Sequence, residues 1–85
     1  MRYDTVFRPE ARAEIRKLPR NVAVKVFRKL PELENDPWAF GTTALVGNPE
    51  VRRLRVLAYR VIYTVEQGRM IIWAVHVGHR SDVYD

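Results

Sequence analysis

Apolar side chains change their spacing once along this chain, near residue 50, and that change limits the folds open to it. Before it they recur at helical intervals: Ala11, Ile15 and Leu18, then Val22, Val26, Leu30 and Leu33. Steps of three and four lay a stripe along one side of a helix. After it, Arg52-Arg53-Leu54-Arg55-Val56, Tyr59 to Val65 and Met70 to Val77 are rich in β-branched and aromatic residues at the spacing of extended chain. A run of helix followed by a run of strand predicts an α+β fold, with helices packed on one face of a mainly antiparallel sheet.

Punctuating residues set the expected boundaries. Tyr3 to Phe7 alternates as a short strand does, and Arg8-Pro9 ends it, since proline suits the first turn of a helix but cannot donate to a ladder. A first helix is expected from about Pro9 to Leu18, and Pro19 repeats the device before a second from Arg20 towards Glu34. Pro31 falls inside that second stripe and predicts a kink or break near Leu30. Asn35-Asp36-Pro37 stops the helix. Trp38 to Glu50, with two glycines and Pro49, reads as a loop that Trp38, Phe40 and Leu45 pin to the core. The order is an N-terminal strand, a helical hairpin and a three-stranded antiparallel meander. With Gln67-Gly68 as a two-residue turn, Val65 would face Met70 and Tyr59 would face His76, and a slip of one residue would invert the faces.

Eighty-five residues suit a single domain spanning 1–85. Without cysteine there is no disulfide framework or thiolate metal site, and two histidines with no carboxylate cluster nearby predict no metal. No apolar run approaches the roughly 18 to 20 residues that cross a bilayer, and the charged Met1-Arg2-Tyr3-Asp4 has no apolar stretch behind it. The expectation is a soluble cytoplasmic protein without a membrane role.

Charge is distributed unevenly. Residues 51–80 hold six arginines and one acid, Glu66, whereas residues 1–50 hold nine basic and seven acidic groups and residues 81–85 add two acids, for a net charge of +5. The strand region therefore carries the excess. Guanidinium keeps its charge at any working pH and binds phosphate oxygens in pairs, so a field confined to one sheet points to an anionic partner, nucleic acid before others.

Arg53 and Arg55 share one face of an extended strand, about 6.6 Å apart. Arg60 opens the next strand, and Arg80 and Tyr84 follow the last. A tight connection through Leu57-Ala58 would let these five converge. Like charges gathered in this way repel, and that cost argues for a ligand that neutralises them. Arg69 in a turn and Arg52 beside Leu54 and Val56 read as edge or surface charge, and His76, mid-strand, as a packing residue. His79 differs, because it stands between Gly78 and Arg80, beyond the apolar run, and imidazole exchanges protons near neutral pH.

The stretch Val51-Arg52-Arg53-Leu54-Arg55-Val56-Leu57-Ala58-Tyr59-Arg60-Val61-Ile62-Tyr63, followed by Val77-Gly78-His79-Arg80-Ser81-Asp82-Val83-Tyr84, resembles the RelE branch of the RelE/ParE toxin superfamily. The helix after Pro9, the Asp36-Pro37 stop and Gly47 before the arginine strand fit the same pattern, so the resemblance covers nearly the whole chain. It implies the toxin of a bacterial type II toxin–antitoxin pair, which enters the ribosomal A site and cuts messenger RNA there without a metal or other cofactor. It also implies a cognate antitoxin and a toxin–antitoxin hetero-oligomer. By the same resemblance Arg53, Arg55, Arg60, Arg80 and Tyr84 occupy active-site positions: the basic residues hold the scissile phosphate, the tyrosine stacks on or orients a base, and the RNA 2′-hydroxyl is the nucleophile. Attack by that oxygen builds negative charge on a phosphorane, which Arg55, Arg60 and Arg80 are placed to clamp.

Well-known relatives carry lysine where this chain has Arg53 and Arg55, and arginine is a poor general base. Proton transfer then falls to His79 or to the ribosome. The competing readings are a ParE-like inhibitor of DNA gyrase on the same fold, and a non-catalytic module that binds RNA or an acidic partner.

Overall fold

Proline at positions 9 and 19 divides the first third of the chain as its chemistry requires. In the computed structural model, which describes residues 2–39, 41–45 and 47–79, strand β1 (Asp4–Phe7) leads into helix α1 (Pro9–Arg16), then α2 (Arg20–Asn35). Pro9 stands in the first turn of α1, where its missing N–H costs nothing, and the Pro19 carbonyl accepts from the N–H groups of Val22 and Ala23 to start α2. Four further strands follow: β2 (Thr42–Leu45), β3 (Asn48–Val56), β4 (Tyr59–Glu66) and β5 (Ile71–His79). The sheet order is β1-β5-β4-β3-β2, antiparallel throughout except that β1 runs parallel to β5.

Alternation decides what each strand shows to each side. Leu54, Val56, Val61, Tyr63, Ile72, Ala74 and Val77 are buried against Ala11 of α1 and Val22, Val26 and Leu33 of α2. Both helices therefore cover one face, and the residues between those core positions point to the other. Glu34 at the end of α2 ties down the edge strand: its side chain accepts from the Thr5 hydroxyl at 2.9 Å and the Thr5 N–H at 3.2 Å, and pairs with Arg2 at 3.0 Å.

Several sequence expectations need correction. Helix α2 is continuous through Pro31. The proline removes a single donor, while Val22, Val26 and Leu33 anchor the helix on both sides of it. Helix α1 ends at Arg16, two residues early, where the Lys17 N–H donates to the Glu14 carbonyl at 3.0 Å, a tighter turn than that of an α-helix. The segment expected to be a loop from Trp38 to Glu50 contains β2 and the start of β3: Thr42, Thr43 and Ala44 pair with Leu54, Arg53 and Arg52. Two β-branched threonines between Gly41 and Gly47, both at positive φ, carried that signal in a weak form. Pro37, rather than Trp38, is the buried pin of the segment, and Phe40 lies outside the described residues.

The last turn is also longer than expected. Glu66 pairs with Ile71, so Gln67 to Met70 form a four-residue connection, closed by the Met70 N–H on the Gln67 carbonyl and by the Arg69–Glu66 ion pair at 2.6 Å. Met70 takes a φ of 54°. Val65 consequently faces Ile72, not Met70. A bulge then follows, because Tyr63 pairs with Ala74 while Ile62 pairs with His76, leaving Val75 unmatched. It returns Val77 to the core side and, added to the two-position shift from the longer turn, sets Tyr59 opposite His79 instead of His76. Glu14 on α1 accepts from the Val77 N–H at 3.0 Å and lies 3.4 Å from His76 Nδ1, so α1 closes the part of the β5 edge that β1 leaves open.

Candidate functional site

Two residues, Leu57 and Ala58, connect β3 to β4, and Val56 pairs directly with Tyr59. Leu57 takes a φ of 55°, the left-handed conformation that such a tight hairpin demands. The register that follows puts Arg55 opposite Arg60 and Arg53 opposite Ile62. All four point away from the helices, since their neighbours Leu54, Val56, Val61 and Tyr63 fill the core. Thr43 pairs with Arg53 from the other side. On β5 the residue beside Arg60 is Gly78, which has no side chain to crowd the guanidinium.

The result is an open concavity of about 580 Å³ on the face without helices, lined by Arg53, Arg55 and Arg60 together with Thr42, Thr43, Gly41, Ala39 and Trp38. None of these residues is acidic. Three guanidinium groups thus share one wall with hydroxyls, and among the described residues of the lining none is acidic, an arrangement suited to binding the oxygens of a phosphodiester.

The opposite rim is stitched to the sheet by short polar contacts. The Trp38 N–H donates to Asp36 Oδ1 at 3.0 Å, an Asx-type turn, and the Thr42 hydroxyl donates to the Ala39 carbonyl at 2.7 Å. Arg52, on the helix side of β3, reaches back to Thr42 Oγ1 at 2.9 Å. Tyr63 donates its phenol to the Pro37 carbonyl at 2.6 Å inside the core. Burial holds that phenol protonated above its ordinary range, an effect that Thr42 and Arg52 partly offset. Rim and arginine strands therefore move as one body.

His79 stands elsewhere. It is the last residue of β5 and pairs with Tyr59, whose ring lies edge-on to the imidazole at 5.3 Å. Tyr59 packs against the helix-side core, so His79 lines a separate hollow of about 330 Å³ with Glu14, Lys17 and Leu18. The structure brings Arg53, Arg55 and Arg60 together and sets His79 on the other side of the sheet. Arg80 and Tyr84 lie outside the described residues. Arg69 is engaged with Glu66, whose carboxyl is held down to about 2 by hydrogen bonds first from Arg69 and then from Trp73.

Sequence reading missed Trp38 and Thr43 as lining residues. Trp38, expected to pin the loop to the core, is 44% exposed and lines the concavity. Thr43 could have been found only by recognising β2, whose pairing with β3 fixes where it points.

Residues 5–84 match the family model of the ParE toxin of type II toxin–antitoxin systems (parDE), and the chain belongs to that toxin family. Its likeness among solved structures places it on the RelE branch of the RelE/ParE superfamily. The isolated Escherichia coli RelE toxin superposes with a TM-score of 0.82 at 29% identity, over 96% of this chain and 90% of that one. A mutant E. coli RelE in complex with an antitoxin RelB peptide gives 0.81 at 30% identity, over 93% and 84%. The Mycobacterium tuberculosis RelBE2 toxin–antitoxin complex gives 0.82 at 22% identity, over 94% and 100%, a shared fold at low sequence similarity. No curated protein sequence matches the chain.

Proposed function

We propose that this toxin is an endoribonuclease that cuts messenger RNA in the ribosomal A site, with the RNA 2′-hydroxyl as nucleophile. The observation that carries the reading is the convergence of Arg53, Arg55 and Arg60 on one concavity. Attack by the 2′-oxygen converts the scissile phosphodiester to a phosphorane with added negative charge. Fixed guanidinium donors bind that state more strongly than the ground state, and each such donor contributes on the order of 100- to 1,000-fold. Arg55 and Arg60 are assigned to the phosphate and Arg53 to the strand approaching it.

Arg80 and Tyr84 complete the assignment by resemblance, Arg80 as a third clamp on the phosphate and Tyr84 as a stacking surface for a base. Both follow β5 in the sequence. The proton of the 2′-hydroxyl must leave, and no arginine accepts it. His79 is the titratable side chain nearest in sequence to Arg80, but it lines a different hollow from the arginines. This supports the ribosome as the source of proton transfer, with His79 as the alternative.

The partner that restrains the toxin is a cognate antitoxin, as for the RelB-bound relatives. Acidic groups laid over the arginines would neutralise the same field that attracts RNA. The family match to ParE toxins favours a second reading, inhibition of DNA gyrase without RNA cutting. Purified protein added to translating ribosomes, and separately to a gyrase supercoiling assay, separates the two. Cutting of message that Arg80→Ala abolishes, with antitoxin binding retained and gyrase unaffected, supports the nuclease; inhibited gyrase with intact message supports the rival.

A further inference from the structure

We infer that Trp38 is a nucleobase-stacking residue of the arginine concavity and determines which base the toxin prefers next to the scissile phosphate. The inference rests on the RNA-cleavage reading and adds a specificity residue to it. Trp38 is 44% exposed, although a side chain of this size contributes more to folding when buried. Its surroundings do not leave it loose. The backbone N–H is held by Asp36 at 3.0 Å, the preceding Pro37 is buried with its carbonyl bonded to Tyr63 at 2.6 Å, and the indole meets the Tyr3 ring edge-to-face at 6.0 Å. A large aromatic is thus fixed in place and left half open to solvent.

What it opens onto identifies the ligand class. Trp38 lines the same concavity as Arg53, Arg55 and Arg60. Gly41 shares that lining, with a φ of 95° and, among the described residues, no atom within 4 Å of where a Cβ would stand. A half-exposed aromatic in one lining with three guanidinium groups matches the two halves of a nucleotide: an apolar π-face for the base and fixed positive charge for the phosphate. A volume of about 580 Å³ accommodates such a unit. Single-stranded RNA offers both halves at once, whereas in a duplex the base faces are already stacked. Stacking area is larger for purines, so the preference is for a purine at the position that meets Trp38.

The test measures binding of the full chain to a short single-stranded RNA and to a series of the same oligomer made abasic at one position at a time. The expected result is one position, distinct from any served by Tyr84, where removing the base weakens wild-type binding about tenfold. Trp38→Ala should lose about tenfold on the intact RNA and become indifferent to that abasic site, while Trp38→Phe keeps most of the affinity and the preference. Because Trp38 also touches Tyr3, thermal melts check that Trp38→Ala folds, and Trp38→Phe supplies the comparison if it does not. An unchanged intact-to-abasic ratio in Trp38→Ala overturns the inference, including the case where that variant weakens only an antitoxin peptide. Arg55→Ala separates the levels: if it binds RNA as tightly as wild type, the RNA reading fails and the stacking role with it. If Arg55→Ala loses binding while Trp38→Ala does not, only the stacking role fails.

Discussion

Arg55 and Arg60 stand directly opposite each other across the β3–β4 hairpin, two permanent positive charges at one register position. Like charges so placed oppose folding, by an amount of the order of tenths of a kcal/mol. Stability does not account for the pairing; the proposed phosphate site does. Arg55→Gln is therefore expected to be as stable as the parent or more so, by up to about 0.5 kcal/mol, and to cut RNA roughly 100-fold more slowly. Urea denaturation and cleavage rates on the one variant check both halves, and a variant that is less stable yet fully active contradicts the assignment.

Leu57 holds the turn that creates this pairing at a φ of 55° with its side chain 54% exposed. An L-residue in that region is strained by roughly 1–2 kcal/mol, and an exposed leucine recovers little of it by packing. Leu57→Gly should raise stability by about 0.5–1 kcal/mol after glycine's larger entropy loss on folding. Activity should be unchanged, since the register of Arg55 and Arg60 is kept. A thermal melt at or below that of the parent would count against the strain.

Tyr63 connects the core to the rim of the concavity through its bond to the Pro37 carbonyl. Tyr63→Phe leaves that buried acceptor without its donor and should cost about 1–2 kcal/mol. Its pH dependence has a definite sign. Burial raises the phenol above its ordinary value near 10, so its contribution is complete below that pH and declines as the unfolded chain ionises above it. The stability difference between wild type and Tyr63→Phe should shrink as pH rises past 10, and a difference that grows there would refute the buried bond.

Much of this was legible in the sequence, for reasons that differ by element. The helices announced themselves because each buries one face, which imposes a period, and β4 because it is a run of β-branched and aromatic residues with Val61, Ile62 and Tyr63 all buried. The convergence of Arg53, Arg55 and Arg60 followed from alternation plus a two-residue turn at Leu57-Ala58. The segment around β2 was hidden because an edge strand of four residues pairs along only one side and needs no strong alternation. The bulge at Val75 was hidden because it arises from the meeting of two strands, and together with the longer turn it set His79 opposite Tyr59. Trp38 was misplaced because its exposure depends on Pro37 filling the core position instead, a competition that no local pattern reports.

At the far end of the sheet, Glu66 is held down to about 2 by hydrogen bonds from Arg69 and then Trp73. Whatever it contributes is complete above its ordinary carboxylate range and is lost as pH falls from about 4.5 towards 2. Carboxyl chemical shifts followed through an acid titration should show this low midpoint, and Arg69→Ala should move it upward. A midpoint that stays low in the variant would assign the effect to Trp73 alone.

The most direct test of the nuclease account replaces a single nucleotide of a ribosome-bound message, the one 5′ of the scissile bond in the A site, with its 2′-deoxy counterpart. If the RNA's own 2′-oxygen attacks a phosphate held by Arg55 and Arg60, cutting at that bond disappears while binding persists, and unmodified message yields a cyclic phosphate and a 5′-hydroxyl. Undiminished cutting of the deoxy-substituted message would contradict it.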